Sequence, residues 1–182
     1  ILMVKEKNNT VKAYHNVCPH RGNRLVHIDS GHVKEFTCTY HGWKFNYSGD
    51  LIYAQDEEDF PQGNPCGKVK LSEIPCEEYA GFIWYNMDKN CFPLKGFLGE
   101  VTKYIDMFDN DGLKRVYHKV CEVPFNWKAL RDNFCESYHL PSTHPQINDY
   151  YDDDYKNTDF ELYETGHNLM KMKGSLPSLR NA

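Results

Sequence analysis

Two short runs hold the residues with the most chemistry in them: Cys18-Pro19-His20-Arg21-Gly22 and Cys38-Thr39-Tyr40-His41-Gly42-Trp43. The first opens with a Cys-x-His pair and the second with Cys-x-x-His, and 17 residues lie between His20 and Cys38. Two thiolates and two imidazoles suit a tetrahedral zinc ion, or an iron–sulfur cluster in which two histidines replace two cysteines on one iron. Gly22 follows Arg21 and Gly42 follows His41. Glycine lets backbone N–H groups turn inward toward an anion, which a sulfide-bearing cluster needs and a zinc cation does not. The glycines therefore favour the [2Fe–2S] cluster, with Trp43 and Tyr40 as its apolar roof.

A second constellation lies downstream, in Asn133, Glu136, His139 and His144, with Glu-x-x-His-x-x-x-x-His as its skeleton. On a helix, Glu136 and His139 share a face, as does Asn133 one turn earlier. The five-residue step to His144 leaves that face unless Pro141 breaks the helix and lets His144 swing back. Two histidines and a carboxylate with open positions suit non-haem ferrous iron and O2 activation. Without such context, two histidines five apart are more often ordinary surface or core residues. His15, His27, His32, His118 and His167 lack partner spacing and read as bland. Asp149, Asp152, Asp153 and Asp154 read as a solvated loop, and Lys128 as a snorkelling helix-start residue.

The elements that must position these groups fall into two textures. Over residues 1–92, short apolar runs (1–4, 11–14, 33–37, 51–53, 81–85) alternate with turn-formers such as Asn8-Asn9-Thr10 and Ser48-Gly49-Asp50, which predicts an all-β unit. Residues 69–71 and 81–85 are expected to close the sheet, and 56–65 to form a surface loop. Over 93–182 the spacing predicts helices at 97–108 and 126–139 and strands at 114–123, 160–164 and 167–172. The fold class is therefore α+β, with a boundary near residue 93. Ile1 reads as a strand already under way and the chain closes on no clear element, so a piece of a longer protein is expected.

Composition narrows the setting. The 182 residues carry 21 basic and 26 acidic side chains, a formal net charge of −5, so nucleic acid is not the expected partner. No apolar run approaches the roughly 18–20 residues of a membrane helix, and no secretory signal opens the chain. Seven cysteines is an odd number, and Cys66, Cys76, Cys91, Cys121 and Cys135 have no paired spacing. Reduced thiols in a cytoplasmic protein are the expected reading.

Together the two loops resemble the Rieske family, and more narrowly the cluster loops of Rieske non-haem iron oxygenase terminal (alpha) subunits. The resemblance implies that Cys18 and Cys38 hold one iron of a [2Fe–2S] cluster and His20 and His41 the other. Respiratory Rieske proteins join their loops by a disulfide, whose positions here are Asn23 and Tyr40, and place a hydroxyl donor where Trp43 stands. Fewer hydrogen bonds to sulfur imply a potential near the low end of the Rieske range, about −150 mV rather than +300 mV.

The second motif stands where this family has its catalytic site, with His139 placed 98 positions after His41. The resemblance implies that His139 and His144 bind a mononuclear Fe(II). It implies that Glu136 links the centres, bonding His139 and a cluster histidine of a neighbouring subunit in a head-to-tail homotrimer. Asn133 matches the amide near the iron, and Tyr138 an aromatic residue behind it. The implied architecture is an all-β Rieske domain (1–92) followed by the first part of a helix-grip (START-like) catalytic domain (93–182). The implied activity is that of a terminal oxygenase, which uses O2 and electrons from an NAD(P)H-dependent reductase, directly or through a ferredoxin. It would hydroxylate, dihydroxylate or demethylate a small aromatic or alkylammonium substrate, with or without a beta subunit.

Two departures bear on this. Many aromatic-ring dioxygenases have Asp at the bridging place, one residue further from the Asn, where this chain has Glu136. The family's third iron ligand is a carboxylate further along the polypeptide than residue 182. The competing reading is a Rieske electron carrier without catalytic iron, which has no use for Glu136, His139 and His144. A zinc-binding interaction module is the third.

Overall fold

The computed structural model describes residues 1–147 and 158–172. The chain divides into two compact units, the first spanning Ile1–Leu94 and the second beginning at Lys95. With mixed strands and few helices, the class is α+β.

The first unit is built from short antiparallel ladders. Strands β1 (Leu2–Lys5) and β2 (Val11–Tyr14) form a hairpin, and β2 pairs in turn with β6 (Glu73–Ile74). In β1, Leu2 and Val4 are buried while Met3 faces out, the period of two of a half-covered sheet. The hairpin closes where expected: Asn8 Oδ1 accepts from the Thr10 N–H at 3.0 Å, and Asn9 takes the left-handed conformation at φ 68°.

A second ladder orders β3 (Phe36–Thr37), β4 (Lys44–Phe45) and β5 (Leu51–Tyr53). Phe36 faces Phe45 across it, and both are buried. The cluster loops are the segment after β2 and the β3–β4 connection. Their inner sides join Tyr14, Leu25, Phe36, Trp43, Phe45 and Leu51 in one apolar core that also takes in Cys18 and Cys38. The chemistry-bearing thiols are thus part of the core.

Residues 69–71 and 81–85 do not close one sheet, contrary to expectation. Residues 69–71 make an isolated bridge between Asp50 and Lys70, fixed by a 2.8 Å ion pair. Strand β8 (Phe82–Tyr85) pairs with β7 (Cys76–Tyr79) as a separate ladder. Strands β4, β6 and β7 are too short or too charged to show period-two patterning, so sequence reading passed over them.

The second unit corrects four expectations. Residues 97–108 are not one helix: α1 (Leu94–Leu98) and α2 (Thr102–Ile105) flank a 3-10 turn at Gly99–Val101. Gly99 takes φ 55°, a left-handed value that an α-helix cannot continue through. Residues 114–123 are not a strand. Among the described residues nothing pairs with them, and Val116 and Val120 are 95% and 78% exposed. Apolar alternation favours a strand only where a neighbour takes up the backbone hydrogen bonds.

Residues 126–139 are not one helix either, since α3 (Trp127–Phe134) stops before the site. Pro141 does not end a helix but lies in the first turn of α4 (Leu140–Thr143), where its missing N–H costs no hydrogen bond. The two strands expected there are β9 (Asp159–Leu162) and β10 (Asn168–Lys171), and they pair with each other as an antiparallel hairpin. The acidic stretch 149–154 lies outside the described residues.

Candidate metal centres

The two cluster loops have matching backbones. Cys18 N–H donates to Asn23 O at 2.8 Å, and Gly22 N–H returns to Cys18 O at 2.9 Å. Cys38 N–H donates to Trp43 O at 2.8 Å, and Gly42 N–H returns to Cys38 O at 2.9 Å. Gly22 and Gly42 hold φ of 76° and 69°, with nothing near where a Cβ would stand. The requirement for glycine is therefore the left-handed backbone, not space. Each turn folds its chain back so that N–H groups face the thiol at its start.

The four candidate ligand side chains come together as two pairs. Cys18 and Cys38 are 1% and 2% exposed and lie within hydrogen-bonding reach of each other. Burial pushes the Cys18 thiol up, and the neighbouring Cys38 adds to this against N–H donation from His20 and Arg21. Burial would raise Cys38 as well. The N–H groups of Tyr40 and His41, with the side chains of Cys18 and Asn23, bring it below the ordinary thiol value instead.

The His20 and His41 rings lie 4.6 Å apart. Burial, then the charges of His41 and Arg21, hold His20 below the usual imidazole value, which keeps it neutral as a metal ligand must be. Trp43 stacks on His20 at 4.6 Å and 8° between planes, and Tyr40 lies 3.9 Å from His41.

Thiol beside thiol and imidazole beside imidazole divides the four ligands two and two. A binuclear cluster with sulfur ligands on one iron and nitrogen ligands on the other would fit that division, and the inward N–H groups would donate to its cysteine sulfurs.

The second constellation is built around Glu136, His139 and His144. Glu136 follows the end of α3 on a turn, not on the helix. Its Oε2 accepts from the His139 backbone N–H at 3.1 Å, and its Oε1 meets His139 Nδ1. The carboxylate thereby takes a backbone donor, which favours a new turn over further helix. Sequence reading found the pair through helical spacing, and the structure makes the contact by a local cap.

His144 closes α4 and brings its ring to 5.5 Å from that of His139, at 75°. His139 also keeps the Glu136 carboxyl below the usual carboxylate range. Asn133 is exposed near the end of α3, and Tyr138 is 86% exposed. The structure gathers Glu136, His139 and His144 and places Asn133 one turn upstream. The residue that sequence reading missed is Asn23: its Nδ2 lies 3.7 Å from Cys38 Sγ and 3.1 Å from Thr39 Oγ1.

Comparison with known proteins follows the same division. Residues 1–73 match the Rieske [2Fe-2S] domain, and residues 110–179 match the ring hydroxylating alpha subunit (catalytic domain). The chain is 35% identical over 155 residues to the carnitine monooxygenase oxygenase subunit of Acinetobacter pittii (strain PHEA-2), covering 82% of this chain and 40% of that protein. It is 33% identical over 151 residues to the large oxygenase component of the naphthalene 1,2-dioxygenase system of Pseudomonas putida, covering 79% of this chain and 33% of that one.

Among solved structures, a quaternary ammonium Rieske monooxygenase superposes with a TM-score of 0.82 at 27% identity, over 95% of this chain and 48% of that one. A naphthalene 1,2-dioxygenase gives 0.66 at 33%, over 80% and 34%. The chain thus spans less than half the length of each of these relatives. With a Rieske [2Fe-2S] domain followed by ring-hydroxylating catalytic sequence on one polypeptide, it belongs to the Rieske non-haem iron oxygenase alpha subunits.

Proposed function

We propose that this chain is the electron-receiving part, and half of the catalytic part, of a terminal oxygenase that acts on a small aromatic or alkylammonium compound. The observation that carries this is the Glu136–His139–His144 grouping, which an electron carrier has no use for, on the same chain as the paired thiol and imidazole loops. In this reading Cys18, Cys38, His20 and His41 hold the [2Fe–2S] cluster. His139 and His144 hold a mononuclear Fe(II), with a carboxylate further along the polypeptide as third ligand. When bound, that iron would supply O2 activation, with electrons that come from NAD(P)H through a reductase, directly or by way of a ferredoxin.

The protein's own contribution is position. Glu136 fixes the His139 ring through Nδ1, leaving Nε2 as the nitrogen for metal. As an ionised acceptor it would also take a hydrogen bond from His41 of a neighbouring copy, so that three side chains join the two ligand sets across a subunit boundary. Inter-subunit electron transfer in one of the similar structures, a quaternary ammonium Rieske monooxygenase, supports a path across a subunit boundary, which a closed head-to-tail trimer would provide here. Asn133 would place its amide near the iron. Relatives acting on carnitine and on aromatic rings support the substrate range, and seven free cysteines support a reducing, cytoplasmic setting. Among the described residues no helix is long and apolar enough to cross a membrane.

The test is to supply the whole protein with a reductase, NAD(P)H and O2 and to screen aromatic and quaternary ammonium compounds for oxygenated or demethylated products. Oxygenated product that disappears in Glu136→Ala while both metals stay bound is the expected result. Cluster reduction without product from any compound, and no mononuclear iron, would favour the electron carrier.

A further inference from the structure

The match between the two cluster loops extends to a residue outside the ligand set. In each loop the cysteine N–H donates to the carbonyl five positions on, Asn23 in one case and Trp43 in the other. In each loop the side chain of that fifth residue then leaves its own loop and meets a ligand of the other. Trp43 crosses to stack on His20, and Asn23 crosses to Cys38 Sγ and Thr39 Oγ1. The two crossings form a reciprocal clamp, apolar in one direction and polar in the other.

Asn23 is well suited to the polar half. Its carbonyl already anchors Cys18, so backbone and side chain of one residue touch both sulfur ligands. Its Nδ2 carries two N–H groups and has three acceptors in reach: Arg24 O and Thr39 Oγ1, each at 3.1 Å, and Cys38 Sγ at 3.7 Å. With two N–H groups and three acceptors, the donation toward the second loop is shared between Thr39 Oγ1 and Cys38 Sγ.

We infer that Asn23 is a positioning residue for the cluster, a strap between the loops whose N–H donation to the Cys38 sulfur raises the reduction potential. The inference rests on Cys38 being a cluster ligand. The added electron makes the sulfur more negative, and a donor to it stabilises the reduced form more than the oxidised one. The low potential expected from the loop sequences counted no side-chain donor to sulfur. Asn23 supplies one, and its removal should lower the potential further.

The experiment is an equilibrium redox titration of the cluster-loaded chain, followed by circular dichroism and by electron paramagnetic resonance of the reduced state. Asn23→Leu keeps the branching at Cγ and removes the donor. It is expected to shift the reduced-to-oxidised ratio by up to tenfold, a fall of up to about 59 mV for one electron. Asn23→Asp puts an acceptor at the sulfur and should fall lower still, while Asn23→Gln keeps a donor and should lie between wild type and Leu. Iron loss to a chelator should be fastest in the Leu variant.

A midpoint in Asn23→Leu equal to or above wild type would overturn the inference, as would an Asp variant above the Leu variant. Loss of the cluster from Leu with retention in Gln supports the strap, and loss from both overturns it. A wild-type chain without a Rieske signature would instead remove the ligand assignment beneath it.

Discussion

Gly42 shows how much of the metal centre is decided at single residues. At φ 69° it turns the second loop so that Tyr40 and His41 aim their N–H groups at the Cys38 thiol. An alanine meets no atom there but must adopt a left-handed backbone, at about 1–2 kcal/mol. Gly42→Ala should lower stability by that amount in a denaturant titration and lose iron faster to a chelator.

Glu161 gives the corresponding statement in the second unit. It accepts from the Tyr104 hydroxyl at 2.8 Å and also meets Lys171 and Tyr163. Lys171 first, then the two tyrosines, bring its carboxyl from 4.5 down to about 2. A depressed folded value means stability that is fully present above pH 4.5 and is lost as pH falls toward 2. Thermal melts should therefore show Glu161→Gln below wild type at neutral pH, the gap closing between pH 4.5 and 2.

The candidate ligands of the two loops stand out in the sequence because thiols and imidazoles state their chemistry and their spacing is local, and the structure brings them together as two pairs. Asn23 was not legible. The resemblance placed it only where other Rieske proteins carry an inter-loop disulfide, and the contact of its amide with the Cys38 sulfur comes from the structure.

At the scale of elements, the cluster loops depend on the ladder that carries them. Phe45 in β4 is fully buried, faces Phe36, and lies two residues beyond the second loop's Trp43. Phe45→Ala should cost about 3–5 kcal/mol, read from a denaturation midpoint, because the surrounding core cannot close over the cavity. Ile52→Thr in β5, at a side chain 48% exposed, should stay within about 0.5 kcal/mol.

The hairpins were legible because alternation and turn residues agree locally, as in Leu2, Val4 and Asn8-Asn9. The helices of the second unit were not. Periodicity over 97–108 and 126–139 reports which residues are apolar, but it does not see Gly99 at a left-handed φ. Nor does it see the Glu136 carboxylate taking the N–H of His139. Residues 114–123 failed for the converse reason, since strand patterning cannot supply a strand partner.

At the scale of the molecule, the two units differ in how much they bury. Among the described residues, nearly all the buried apolar ones lie in Ile1–Leu94, whereas Leu113, Val116, Tyr117, Val120 and Trp127 are more than 60% exposed. Backbone without paired neighbours and without burial opens at little cost. Limited proteolysis should therefore cut first within 113–123 and leave a product containing residues 1–94, whose cluster spectrum is unchanged. Cleavage first inside the cluster loops would contradict this division.

The account rests on Cys18, His20, Cys38 and His41 holding a two-iron cluster. The most direct measurement is iron, zinc and acid-labile sulfide per chain, with electron paramagnetic resonance after reduction. About two irons and two sulfides with a Rieske-type signal are expected. His20→Ala and His41→Ala should each abolish that signal, and His139→Ala should leave it intact. One zinc per chain with no sulfide, or a Rieske signal that survives loss of His20 or His41, would contradict it.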